Sequence, residues 1–221
     1  MSFGGNIIHH TFRPGEIETG SDIGFVLNDI ENRYSLESAA YISNEQKIKK
    51  RWKVVYGLRF SNFTQIGPGN IFSYDVDGNI TDTTAFGDWE PVSSYFGLSP
   101  RLSANFSIDE KSSVKGSYAR TNQYIHLVSN STSSSPTDIW VPSSNNIEPQ
   151  VADQVSVGYF RNFYDNMLEF SGEIYYKDMR RVIDYRDGAE VTLNPAVEGE
   201  LLYGIGRAYG IELLMKKRRG K

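Results

Sequence analysis

Strict alternation of apolar and polar residues over long segments limits this chain to a β-sheet whose two faces differ. From Phe96 to Ile108 every even position is Phe, Leu, Pro, Ala or Ile, and every odd position is Gly, Ser, Arg or Asn. Successive side chains of a strand point to opposite faces, so this segment predicts a strand with one apolar and one polar face. The same pattern recurs in 51–62, 168–177 and 209–216.

The predicted strands are longer than those of most soluble sheets. Strands in globular proteins are usually about 5–6 residues long, whereas a tilted strand needs roughly 9–11 residues to cross a membrane. We predict about eight strands, and extended segments are recognisable at 33–44, 50–64, 92–107, 112–127, 152–164, 167–183 and 207–217. Their length favours strands that span a bilayer, with the polar face turned to a wet interior.

The links between these segments alternate between short and long. The short links are Glu45–Lys49, Asp109–Lys111 and Asp165–Asn166, and the long ones are 65–91, 128–151 and 184–206, with 13–32 as another before the first clear strand. In an antiparallel meander alternate links lie at opposite ends, and short periplasmic turns with long extracellular loops are typical of outer-membrane barrels. We therefore predict an all-β fold, an antiparallel up-and-down transmembrane β-barrel segment in the bacterial cell outer membrane.

Several local features depart from the regular pattern. Pro100 lies inside a predicted strand and removes a ladder donor, which predicts a bulge or a local gap in pairing. Arg120 interrupts an apolar face, and we expect its strand to have left the hydrocarbon by about that residue. Residues 72–81 predict a small hairpin on a long link. A basic cluster is interpreted as a solvated turn; its members are Lys47, Lys49, Lys50 and Arg51.

Composition excludes some classes of protein without choosing among the others. Hydrophobic residues make up 39% of the chain and the net charge is −4, values that suit either a soluble protein or a membrane barrel. No apolar run approaches the roughly 18 residues of a transmembrane helix, so helical spans are excluded. The chain has no cysteine, which excludes disulfides and thiol chemistry.

Four stretches together resemble TonB-dependent outer-membrane receptors. They are YFGLSPRLSANFSIDEKSSVKGSYARTNQYIHLVS, PTDIWVPSSNNIEPQVADQVSVGYFRNF, EFSGEIYYKDMRRVIDYRDGAEV and GIGRAYGIELLMKK. The chain is most similar to the Bacteroidetes type, which carries a carboxypeptidase-like regulatory domain. The resemblance covers most of residues 50–220, and the motifs occur in the expected order.

The resemblance implies import of a scarce nutrient through a barrel of about 22 strands that is closed by a plug domain. The nutrient class would be a siderophore, cobalamin, a glycan or a peptide. The implied partners are the lipid bilayer, the plug domain of the same receptor, TonB and a surface lipoprotein, with no nucleic acid, cofactor or catalysis. Residues 1–221 contain no recognisable plug or TonB box, so we expect all of them to be an internal or C-terminal part of the β-barrel domain.

Two sets of side chains are candidates for contact with a solute. Aromatic residues on the long links could stack on sugars or contact a chelate. The alternative is a structural role in the outer aromatic girdle or in loop packing. These residues are Tyr74, Phe86, Trp89, Trp140 and Tyr185. Charged residues on the polar faces are expected to face the lumen and contact the plug or the solute path; they are Arg51, Arg59, Arg101, Glu169, Glu173 and Lys177.

Other motifs do not predict a chemical site. His9 and His10 would point to opposite faces of a strand, so they do not predict a metal site. The segment 75–79 resembles the start of a calcium loop, but the later Glu is missing and a hairpin turn explains it better. Glycines 204, 206 and 210 miss the dinucleotide-binding spacing.

Two alternative folds remain open from the sequence. A complete eight-stranded outer-membrane barrel with an adhesin or structural role would require residues 1–12 to pair with 207–217. A soluble β-rich binding module would bury the apolar faces instead of exposing them.

Overall fold

The chain forms one large antiparallel sheet with smaller hairpins on its long links. The computed structural model describes residues 1–13, 31–128, 139–189 and 194–218. Eight strands form the sheet, neighbouring one another in the order in which they follow along the chain, and every neighbouring pair is antiparallel. The predicted all-β, antiparallel, up-and-down arrangement is therefore confirmed.

The sheet strands are long and the hairpin strands are short. The sheet consists of β1 (Ser2–Phe12), β2 (Arg33–Ile48), β3 (Trp52–Ile66), β6 (Pro91–Ser107), β7 (Ser112–Gln123), β10 (Gln150–Phe163), β11 (Leu168–Tyr185) and β12 (Leu201–Lys217). Two separate hairpins are formed by β4 (Gly69–Tyr74) with β5 (Ile80–Phe86), and by β8 (Ile125–Val128) with β9 (Ile139–Pro142). A short 3₁₀ helix, Val197–Glu200, precedes β12.

The apolar positions of the sheet are exposed on one side, which we call the apolar face. Cross-strand partners share a face, and one row of the apolar face runs through Tyr56, Leu102, Tyr118, Val155, Tyr176 and Tyr209. Large side chains on it, such as Phe96, Ile174 and Ile211, are mostly accessible. The opposite side, the polar face, carries Ser61, Ser99 and Glu173. A soluble module would cover the apolar face, so that alternative is wrong for the described residues.

The alternation of short and long links is confirmed, with changes in their bounds. The link between β2 and β3 was predicted as Glu45–Lys49, but β2 continues to Ile48 because Glu45 still pairs with Val55 across the ladder. The last strand was predicted from residue 207, but it begins at Leu201 because Gly204 and Gly206 pair with Val182 and Met179. The predicted strand 112–127 ends at Gln123, where the chain leaves the sheet.

The tight turn predicted at Asp165–Asn166 is a four-residue link. Tyr164, Asp165 and Asn166 all have positive φ, of 50°, 51° and 66°. Asp and Asn tolerate this left-handed conformation better than most residues, so the link forms without glycine. The hairpin predicted at 72–81 is present as β4 and β5. Residues 129–138 of the low-complexity link 128–151 and residues 14–30 of the link 13–32 lie outside the described residues.

Pro100 coincides with a gap in pairing, as the sequence predicts. On one side Pro100 pairs with Leu58 of β3 without a register shift. On the other side, the β6–β7 ladder ends at Arg101 and Ala119. Proline has no N–H to donate, so the β6–β7 ladder stops next to it.

The sheet has two separate edges. β1 and β12 lie at opposite ends of the strand order, and among the described residues they do not pair with each other. A complete eight-stranded barrel requires that pairing, so this alternative is wrong for the described structure. Within the ranges that the structure describes, no helix is long and apolar enough to cross a membrane.

Candidate ligand-binding site

The three long links that the structure describes join into one unit, which we call the loop body. It comprises residues 67–90, residues 124–128 with 139–149, and residues 186–189 with 194–200. All three links leave the same end of the sheet, because they connect alternate pairs of antiparallel strands. Contacts between them therefore build a single surface at the long-link end.

Glu198 is the central acceptor of the loop body. Its Oε2 accepts hydrogen bonds from Ser144 Oγ at 2.8 Å and from Asn146 Nδ2 at 2.7 Å. The same amide nitrogen of Asn146 lies 2.9 Å from the carbonyl oxygen of Phe72. Residues from all three links thus meet within one hydrogen-bonded cluster.

A second contact joins the first link to the third. Arg186 donates to the carbonyl oxygen of Asp77 and lies 3.7 Å from the carboxylate of Glu200. Gly78 has a φ of 84°, and a Cβ there would lie 2.4 Å from the carbonyl oxygen of Gly199. The close approach of these two links therefore requires glycine at position 78.

The loop body has a small apolar core of its own. Val128, Val141 and Ile147 are buried, and partly buried apolar residues pack against them; these are Ile139, Ile183, Tyr185 and Leu201. Three of these residues belong to the sheet, namely Ile183 and Tyr185 of β11 and Leu201 of β12. This core therefore packs the loop body against the long-link end of the sheet.

The loop body also rests on the polar face of the sheet. Tyr124, the first residue after β7, stacks on Phe63 with ring centroids 5.2 Å apart and planes nearly parallel at 2°. Its hydroxyl lies 2.7 Å from Ser61 Oγ, and Tyr95 Oη donates to the carbonyl oxygen of Ser144 at 2.6 Å. A Cβ at Gly97 would lie 2.3 Å from Tyr124 Oη, so only glycine leaves room for this ring.

Burial changes the pKa of several groups within the loop body, among them His126 and Tyr74. His126 is buried, and burial lowers the pKa of its imidazole from 6.5 to about 4, so the ring is neutral near pH 7. Burial, together with the nearby Glu198 carboxylate, raises the pKa of the Tyr74 hydroxyl. Both side chains therefore act as neutral packing and hydrogen-bonding groups.

The five predicted loop aromatics are not brought together into one site. Tyr185 packs in the apolar core, and Tyr74 is half-buried against Gly199. Trp89 is 66% exposed but lies beside His9 on the apolar face, with ring centroids 5.4 Å apart and ring planes tilted by 45°. Phe86 ends β5 and is partly buried. These positions give Tyr185 and Tyr74 packing roles.

Trp140 is exposed to solvent on the β8–β9 hairpin of the loop body. It pairs with Leu127 across the β8–β9 hairpin, and the two side chains are 60% and 48% exposed. The other face of this hairpin carries His126 and Val141, which are buried. Leu127 was not predicted from the sequence, because 125–128 reads Ile-His-Leu-Val and shows no alternation of apolar and polar residues.

Five of the six predicted lumen residues lie on the strands and share the polar face. Arg59 donates to Asn6 Oδ1 at 3.3 Å and lies 3.8 Å from the carboxylate of Glu37, which also lies 3.3 Å from His10 Nε2. Glu169 is paired with Arg218 at 2.6 Å. The others on this face are Arg101, Glu173 and Lys177. Arg51 is instead part of the β2–β3 turn.

In the described part of the chain no group of three or more His, Cys, Asp or Glu side chains could hold a metal ion. The calcium-like segment is a turn in which Asp75 Oδ1 accepts the backbone N–H groups of Asp77 and Asn79, both at 2.9 Å. Hydrogen bonds from Asn79, the largest cause, lower the pKa of the Asp75 carboxyl.

Comparison with known proteins assigns this architecture to a family. The family described as TonB dependent receptor-like, beta-barrel, matches residues 5–217. A search of curated proteins found no match.

Similar solved structures are transport receptors. The chain is similar to the FrpB iron transporter of Neisseria meningitidis (15% identity, TM-score 0.60, 99% of this chain and 31% of that one). It is also similar to the ferric-catecholate import receptor Fiu of E. coli K12 (18% identity, TM-score 0.52, 84% and 26%). A third is the hemophore receptor HasR of Serratia marcescens, in complex with hemophore and heme (12% identity, TM-score 0.50, 84% and 32%). The chain thus spans about a quarter to a third of the length of these structures.

Proposed function

The chain belongs to the TonB-dependent receptor-like β-barrel family, and on that premise we propose that it forms part of the wall and mouth of an outer-membrane uptake receptor. The single observation that carries the proposal is the arrangement of the sheet. Its apolar face is exposed along long strands, and its polar face is covered at one end by the loop body. Lipid would cover the apolar face, and the polar face would line the lumen.

The orientation follows from the links. Short turns of such barrels lie in the periplasm and long loops lie outside the cell. The loop body would therefore meet the nutrient first, with Trp140 and Leu127 as its open apolar surface. The family is one of transport receptors, and we propose that this chain binds and imports a scarce nutrient of the siderophore, cobalamin, glycan or peptide class without catalysing a reaction.

The proposed partners complete the receptor. A plug domain would contact the polar face, TonB would supply the energy for transport, and a surface lipoprotein would present the nutrient. We propose the Bacteroidetes type with a carboxypeptidase-like regulatory domain, supported by the resemblance of residues 95–129 and 136–163. The share of the related structures that the chain covers, about a quarter to a third, supports its assignment to one part of a larger barrel.

Disruption of the gene tests the function. Mutant cells should fail to grow when one nutrient of the proposed classes is limiting, and a proton uncoupler should stop its uptake in wild-type cells while binding persists. Growth and uptake equal to wild type for every class would contradict the proposal.

Trp140→Ala tests the site. Loss of an exposed aromatic contact should weaken nutrient binding by roughly 10- to 100-fold, since such contacts commonly contribute 1–3 kcal/mol. The matched control is Trp89→Ala, which removes a similarly exposed tryptophan at the same end whose ring contacts His9 on the apolar face. Equal losses in both variants would remove Trp140 from the site.

A further inference from the structure

The turn between β2 and β3 concentrates positive charge at the short-link end of the sheet. Five of the seven residues from 47 to 53 are Lys or Arg, and all five are exposed. The complete chain carries a net charge of −4, so this turn is a local reversal of its overall charge.

Most of these cations lack a carboxylate partner. Lys53 Nζ lies 2.9 Å from Glu45 Oε2. Among the residues that the structure describes, no ion pair is formed by the other four, which are Lys47, Lys49, Lys50 and Arg51. Two other cations at this end are paired, Lys111 with Asp165 at 3.0 Å and Arg218 with Glu169 at 2.6 Å. The turn therefore presents positive charge that the chain does not neutralise.

An exposed apolar patch adjoins the cations. Ile48 and Trp52 are direct partners across the turn, on the apolar face, and they are 44% and 45% exposed. The Trp52 ring lies 4.7 Å from the ring of Phe106 on β6. Tryptophan favours the membrane interface, and Lys and Arg just beyond it extend towards the headgroups. The order along this face is thus apolar band, aromatic pair and cations.

We propose that the β2–β3 turn binds the phosphate groups of anionic phospholipids in the periplasmic leaflet, with the acyl chains against Ile48, Trp52 and Phe106. The inference rests on the proposed function, because it requires the apolar face to lie in a bilayer. The sequence led us to interpret the cluster as a solvated turn. The structure adds the exposed apolar patch beside it and the lack of acidic partners.

Quenching of Trp52 fluorescence by brominated lipid tests the proposal. The complete protein is extracted from membranes of expressing cells and reconstituted in bilayers of brominated phosphatidylglycerol or brominated phosphatidylcholine. The part of the quenching that disappears in Trp52→Phe reports this site. Wild-type protein should bind phosphatidylglycerol at least about threefold more strongly than phosphatidylcholine, because each cation near an anionic surface contributes up to about a fivefold gain in affinity.

Charge removal and its control complete the test. The triple variant K49Q/K50Q/R51Q should lower the preference, which is the ratio of the affinity for phosphatidylglycerol to that for phosphatidylcholine, towards one. Added salt should do the same in wild type. The control K111Q/K115Q/R218Q removes three cations at the same end, two of which are paired with acids, and should keep the preference. A preference retained by the first triple variant, or abolished by millimolar free phosphate, would overturn the lipid site. If neither lipid quenches Trp52, the proposed membrane orientation itself fails.

Discussion

At the scale of single residues, the contact between the sheet and the loop body depends on the absence of a side chain. Tyr124 reaches Ser61 and Phe63 on the polar face because Gly97 leaves room for its hydroxyl. Asn122 uses the same space, with its Nδ2 2.8 Å from Ser99 Oγ. A glycine in the middle of a strand therefore decides where the chain after β7 goes.

Gly97→Ala should displace Tyr124 from the polar face. The new Cβ would lie 2.3 Å from Tyr124 Oη and 2.8 Å from Asn122 Nδ2, and forced overpacking typically costs about 1–3 kcal/mol. We expect faster hydrogen exchange in residues 124–128 and a lower unfolding temperature. Gly116→Ala is the matched control, since its nearest neighbouring atom would be 4.0 Å away. An unchanged exchange rate in Gly97→Ala would contradict this role.

His126 should make the loop body less stable in acid. Its pKa is about 4 in the folded state and 6.5 when the loop opens, so the opened state takes up a proton first as the pH falls. Stability is therefore full above pH 6.5 and declines by about 3 kcal/mol by pH 4, since each pKa unit corresponds to about 1.4 kcal/mol.

The measurement is hydrogen exchange of residues 125–128 and 139–142 between pH 7 and 4.5, corrected for intrinsic rates. His126→Phe should remove the pH dependence of the opening free energy, and His9→Phe should retain it. A dependence that survives in His126→Phe would assign it to another group.

At the scale of elements, the long links are fastened to one another as well as to the sheet. Glu198 on the third link binds Ser144 and Asn146 on the second, and Asn146 binds the carbonyl oxygen of Phe72 on the first. Because each link depends on the others for its hydrogen-bond partners, opening one should loosen all three.

Glu198→Ala should test this coupling. The substitution leaves the buried Ser144 hydroxyl and the Asn146 amide without their shared acceptor, at a cost of about 1–3 kcal/mol. Exchange should accelerate by about tenfold or more in residues 69–86 and 139–147 together. Asp88→Ala, which removes an exposed acid on the same unit, should leave both segments unchanged. Acceleration of only one segment would show that the links move independently.

The sequence predicts the strands well and the loop body poorly, for physical reasons. Alternation depends on each residue and its immediate neighbours, so Phe96–Ile108 could be assigned without knowledge of its partners. Gln46 and Lys47 look like a turn but remain in β2, because the ladder with β3 continues to the pair Ile48 and Trp52. The contact between Asn146 and Phe72 joins residues 74 positions apart, and no local pattern encodes it. Trp140 was predicted as a candidate, whereas its partner Leu127 required the pairing of β8 with β9.

At the scale of the whole molecule, the sheet leaves β1 and β12 as unpaired edges within the described structure. Unpaired backbone N–H and C=O groups at an edge promote association with other strands. In a larger barrel, further strands would satisfy both edges.

Residues 1–221 expressed alone in detergent should therefore associate instead of closing into a monomer. Size-exclusion chromatography with light scattering should detect oligomers or aggregates, and gel mobility should show no compact, heat-resistant monomer. A stable monomeric barrel would contradict the open-edged arrangement.

The gap beside Pro100 gives the wall an uneven mechanical strength. β6 and β7 share a ladder from Arg101–Ala119 to Ser107–Ser113 only, whereas β7 pairs with β10 along its whole length. A pulling force on the loop body that acts through β7 is therefore resisted mainly by the hydrogen bonds between β7 and β10. The β6–β7 ladder is the shortest in the sheet. A pulling force on the loop body should therefore separate β6 from β7 before it separates any other pair of neighbouring sheet strands.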